Sequence, residues 1–113
     1  MKHKDWQTNL DTARSSLRAQ EEILEQLRRE AEDGEDPYLS VSELMTRWQF
    51  LRTHFRKTQL TLMREADRMP SLNDYQQRRV MDSLELQARQ LDSRLSAILG
   101  SLERREGKHC VSA

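Results

Sequence analysis

Three runs of apolar residues, each spaced three and four apart, constrain this chain more than any other feature. In the first, Trp6, Leu10, Ala13, Leu17, Gln20, Leu24, Leu27 and Ala31 follow alternating steps of 4 and 3. The second is Val41, Leu44, Trp48, Leu51, Phe55, Thr58, Leu62, Ala66 and Met69, with one slip near its end. The third is Met81, Leu84, Ala88, Leu91, Leu95, Ile98 and Leu102. Such spacing places one narrow apolar stripe along each of three helices. A strand would alternate every second residue, and aromatic residues are only 5% of the chain.

Local signals punctuate the runs. Asp5 can cap the first helix, and Gly34 can supply a left-handed stop. Ser40 and Glu43 have capping-box spacing, with Leu39 and Leu44 placed as a hydrophobic staple. They predict that the second helix starts near Val41. Pro70 ends it, Ser71 caps the third, and Gly107 marks that helix's end. The expected fold is all-α: an antiparallel up-down-up three-helix bundle with heptad seams, its helices over about 5–33, 41–69 and 71–106. Residues 1–107 form the bundle and 108–113 a flexible C-terminal tail. The first two helices would each span about 42 Å at 1.5 Å per residue. The same seams would also serve an open hairpin whose third helix pairs with another chain, so a homo-oligomer stays open.

Charge narrows the function classes. Lys and Arg number 19, as do Asp and Glu, so the chain has no net field to draw nucleic acid or an anionic membrane. Residues 1–36 carry 6 basic and 10 acidic groups, residues 37–70 carry 6 and 3, and residues 71–113 carry 7 and 6. The bases Arg47, Arg52, Arg56, Lys57, Arg64 and Arg68 thus read as complements to the acids of the first helix. The other reading is a binding strip for an acidic protein or nucleic acid. One cysteine excludes an internal disulfide framework. No apolar run approaches the roughly 20 residues of a membrane span, and no signal peptide is evident. A cytoplasmic location is the expectation.

No catalytic or cofactor motif emerges, so the chain reads as a non-enzyme with neither cofactor nor small-molecule substrate. His3 and His109 belong to opposite ends of an up-down-up bundle, and His109–Cys110 lacks zinc spacing. His54 stands alone, so the histidines read as solvated. Glu21 and Glu25 are surface neighbours with nothing apolar to tune them. Cys110-Val111-Ser112-Ala113 has the form of a prenylation box with basic Arg104, Arg105 and Lys108 upstream. Cys110 is therefore a candidate lipidation site, and a lipid there is the one route to a membrane. Phe50, Leu60, Met63 and Leu86 lie off the seams and point outward, which marks them, with Arg52 and Arg56, as candidate protein-contact residues. Gln20 on the first seam either fixes register or reaches solvent at the bundle edge.

The pattern resembles a spectrin repeat. Trp6 stands where that family has a Trp early in its first helix. Val80–Glu106 (VMDSLELQARQLDSRLSAILGSLERRE) is similar to its last helix, and Glu43–Leu62 (ELMTRWQFLRTHFRKTQLTL) to its middle one. Leu95 or a neighbour replaces the family's second Trp, Trp48 is additional, and the link around Pro70 is short. The resemblance implies a scaffold or adaptor that binds another protein through its helix faces. A second resemblance, carried by Arg29–Tyr38 (REAEDGEDPY), is to tubulin-binding cofactor A. It implies a small stand-alone chaperone or export-type protein that shields a client. The remaining alternative is a coiled-coil subunit of an oligomer.

Overall fold

The computed structural model describes the backbone of residues 2–33, 37–67 and 74–111, and side chains over 6–32, 41–67 and 75–104. It holds three helices: α1 (Lys2–Asp33), α2 (Pro37–Ala66) and α3 (Asp74–Val111). No strand occurs among the described residues. The fold is an all-α three-helix bundle.

Its boundaries correct several expectations. The second helix begins at Pro37, about a turn before the start predicted from Ser40 and Glu43. Proline is well suited to a first helical position, because its fixed φ is already helical and its missing N–H would have had no partner there. The amide of Asp67 donates to the Met63 carbonyl at 3.3 Å, closing the last turn of α2. The expected stops at Gly34 and Pro70 and the cap at Ser71 lie outside the described residues. The third helix continues past Gly107 to Val111. None of the described glycines takes a positive φ. A glycine held in helical φ costs only about 1 kcal/mol, too little to end a helix by itself.

Packing explains why the seams are spaced as they are. Trp6, Leu10, Ala13, Leu17, Leu24 and Leu27 are buried on α1, as are Leu44, Trp48, Phe55 and Leu62 on α2 and Leu84, Ala88 and Leu91 on α3. α1 also buries Ile23 and Ser16, beside its seam. The reason is that α1 is flanked on two sides: it packs extensively on α2 and also on α3, while α2 and α3 barely approach each other. A helix with two neighbours needs a wider apolar stripe than a two-stranded seam provides. Along α3 burial fades, and Leu95, Ile98 and Leu102 are only half-buried. The result is a rod of 64 × 21 × 17 Å with a radius of gyration of 18.0 Å. A globular chain of this length would be near 13 Å.

Two buried seam positions are polar. The Thr58 hydroxyl donates to the His54 carbonyl at 3.0 Å, so it carries its own partner into the core. Gln20 does not. It is fully buried, and neither its amide nitrogen nor its amide oxygen has a partner among the described residues. The expectation that its amide reaches solvent at the bundle edge is therefore wrong.

Replacing Gln20 with Leu, similar in size and with nothing to desolvate, should raise unfolding stability by about 1–3 kcal/mol. Urea denaturation checks this. Gly100 offers an independent gain. A Cβ there would meet only Arg104 Nη1, at 3.8 Å. Gly100→Ala should add about 0.5–1 kcal/mol in the same measurement.

Candidate protein-contact surfaces

The candidate residues fall into three separate places. Arg52 and Arg56 face α3. The Arg52 guanidinium donates to the Asp92 carboxylate, and to the Ala88 carbonyl at 3.0 Å. It also lies 5.5 Å from the centre of the Trp48 ring and 5.9 Å from that of Phe55. Its side chain is only 16% exposed, so this is an internal strut. Arg56 donates to Glu85 at 2.6 Å and stacks 5.7 Å from the Phe55 ring centre. Gln59 Nε2 donates to the same Glu85 oxygen at 2.8 Å. Long polar side chains thus span a gap that the α2 and α3 backbones leave open. These bases complement acids of the third helix, not those of the first as the charge distribution led us to expect. Heptad position sets which side of α2 a residue occupies, but not which neighbour stands on that side.

Glu85 is the hub of this strut. Hydrogen bonds from Gln59 and Arg56, then the Arg56 charge and a bond from Arg89, lower its pKa from 4.5 to about 2 against the opposing effect of burial. At the solvent edge of α1, Glu25 is also held below its usual range, chiefly by the hydrogen bond and charge of Arg28. Both side chains of that pair are about half exposed, so it contributes little to stability.

Phe50, Leu60 and Met63 are exposed on α2, with Phe50 at 73%. Leu60 and Met63 are neighbours on one face. Phe50 and Met63 are 13 positions apart, about 20 Å along the axis at 1.5 Å per residue and on different faces at 3.6 residues per turn. They do not form one continuous patch.

Leu86 is exposed on α3, and it lines a groove of about 720 Å³ between α1 and α3. Leu17 and Leu91, both buried, contribute to the same lining with Arg14, Arg18, Arg89 and Arg94. Arg94 reaches Glu21 at 3.5 Å and Glu25 at 3.7 Å, linking the two helices. The sequence reading missed this groove. Arg14 and Arg18 are four apart beside the α1 seam, which was visible, but that they face the arginines of α3 depends on how the helices dock.

His54 is exposed, and no metal-ligating cluster includes it among the described residues. Among the described residues, no three His, Cys, Asp or Glu side chains come together as metal ligands would, and no helix is long and apolar enough to cross a membrane. The side chains of His3, His109 and Cys110 lie outside the described residues.

No family model, curated protein or solved structure matches the chain. The likenesses to spectrin repeats and to tubulin-binding cofactor A therefore rest on their sequence patterns alone.

The Glu85 strut predicts an acid sensitivity. Its pKa is depressed by folding, so its contribution is fully present above about pH 4.5 and disappears as pH falls through about 2. Since the Glu85 side chain is 32% exposed, solvent screening reduces that contribution to about 1 kcal/mol. Glu85→Gln should lose that amount at pH 7 and show a flatter stability profile between pH 4.5 and 2, as measured by urea unfolding at stepped pH.

Proposed function

We propose that the chain is a non-catalytic protein-interaction module, a scaffold or adaptor in the manner of a spectrin repeat, that binds through its helix faces. Its path would be up-down-up with antiparallel neighbours. In support, Asn9 bonds Glu65 and Gln77 bonds Ala66, joining the start of one helix to the end of another. α1 and α3 would run parallel: Trp6 and Leu10 line one basin with Gln76 and Val80, and Arg94 meets Glu21 and Glu25 further along both helices.

The observation that carries the reading is the outward placement of large apolar side chains on a rod with few to spare. The chain has only two Phe; Phe55 is fully buried and Phe50 is largely exposed. Leu60, Met63 and Leu86 are also exposed on surfaces otherwise dominated by charge. Scattered exposed apolar residues are common, but a Phe on the outer face of a short helical rod is a ready anchor for a partner. Affinity capture comparing wild type with Phe50→Ser/Leu60→Ser tests the proposal. A partner held by wild type should be lost by the double variant while its thermal unfolding is unchanged. Equal capture by both would remove α2 from the proposal.

A second reading, a coiled-coil subunit of a homo-oligomer, draws on α3. Leu95, Ile98, Leu99 and Leu102 are spaced as a helical stripe and are all only half-buried. A second copy could complete their burial. Light scattering across a hundredfold concentration range would then show a mass above 13.4 kDa that falls on dilution, whereas a constant monomer mass excludes it.

A further inference from the structure

From the α1–α3 groove we infer a docking site for a short acidic peptide segment that carries one apolar anchor residue. This rests on the protein-contact reading and specifies the chemistry of a partner at a surface other than the outer face of α2.

The charge of the groove differs from that of the whole chain. Lys plus Arg balance Asp plus Glu over the sequence, yet Arg14, Arg18, Arg89 and Arg94 line the groove against the single carboxylate of Glu21. Two of these arginines are already engaged, Arg94 with Glu21 and Glu25, and Arg89 with Glu85. Arg14 and Arg18 are exposed and pair with no carboxylate among the described residues. Four apart on one helix face, they present two guanidinium groups about 6 Å apart at the Cβ atoms.

Towards the start of α1 the groove continues into a second basin that shares Arg14 and Gln87 and adds Arg79, Gln76 and Trp6. Trp6 is nine-tenths buried, and its indole N–H has no acceptor among the described residues. Guanidinium and indole N–H groups can only donate. The guanidinium groups along this stretch that pair with no carboxylate among the described residues, Arg14, Arg18 and Arg79, are donors only, and an occupant that meets them must supply acceptors. Carboxylates would meet these arginines. Exposed Leu86, with the buried leucines beside it, calls for an apolar residue among those acids.

In the other direction the lining is charge-balanced, with Glu21, Glu22 and Glu25 against Arg18, Arg29 and Arg94. Arg14, Arg18 and the basin beside Trp6 therefore set the occupant's stretch, from Trp6 to Arg18. This is about 18 Å at 1.5 Å per residue, or five to six residues of extended peptide at about 3.3 Å each. The arginine stretch lacks exposed aromatic faces for bases to stack on, which disfavours nucleic acid.

Fluorescence anisotropy with the full chain tests the inference. The probe is a labelled Glu-Glu-Asp-Leu-Glu-Glu peptide. Its comparators are a Gln/Asn version, a version with Ala for Leu, and a labelled oligothymidylate of ten nucleotides. The acidic peptide should bind, more weakly as salt rises, and more tightly than any comparator. Arg14→Gln/Arg18→Gln should weaken it by about tenfold and Leu86→Ser by several-fold, the scale expected for exposed charge pairs and one partly buried Leu. Phe50→Ser/Leu60→Ser should leave it unchanged. Far-UV circular dichroism establishes that each variant is folded. Absent binding at low salt, equal binding to the Arg14/Arg18 variant, or tighter binding of the oligonucleotide would overturn the inference. Should a captured partner depend on Phe50 and Leu60 while the acidic peptide ignores the groove, the contact reading stands and the groove falls alone.

Discussion

The burial of α1 between two neighbours is the constraint on which the rest of the rod depends. Half of the fully buried apolar side chains belong to this one helix. Its stripe runs from Trp6 to Leu27 and widens to include Ile23 and Ser16. α2 packs closely on one side and α3 more loosely on the other. Nearly all the apolar surface removed from water on folding therefore involves α1, at roughly 25 cal/mol per Å². Helices of 30 residues or more would be marginal as isolated structures at this composition; their stability comes from the shared face.

Where α2 and α3 face each other, the means of attachment changes. Few apolar groups meet there, and the gap is bridged by Arg52 to Asp92 and Ala88, and by Arg56 and Gln59 to Glu85. Trp48 and Phe55 support the two guanidinium groups from below. Such links are directional and depend on protonation, whereas the α1 face is neither. The buried amide of Gln20, which has no partner among the described residues, lies within that mostly apolar face. A polar residue at a seam costs stability but penalises helix registers that would place it against a different apolar layer.

The candidate contact surfaces differ in character. α2 carries Phe50, Leu60 and Met63 as separate exposed apolar groups, while the groove between α1 and α3 combines Leu86 with arginines that pair with no carboxylate among the described residues. Arg52 and Arg56, which charge alone marks as contact residues, hold the bundle together instead. The distinction follows from partnering. An arginine with a carboxylate at 2.6 Å has spent much of its binding capacity, and Arg14 has not.

What the sequence determined by itself was local and periodic. Three helices, the seam residues from Trp6 to Leu27, the burial of Phe55 and Leu62, and the outward placement of Phe50 and Leu60 all follow from 3.6-residue periodicity, which depends only on spacing along the chain. Helix ends were less legible: Ser40 and Glu43 form a plausible cap, yet Pro37 begins the helix, because a compatible proline lets the backbone coil earlier at little cost. Only the tertiary structure decided which helix is central, that Gln20 has no route to water, that Arg52 and Arg56 turn to α3, and that Arg14, Arg18 and Leu86 share one groove. Each of these depends on how helices are arranged about one another. That arrangement arises from the summed packing of whole faces, which no single residue or spacing encodes.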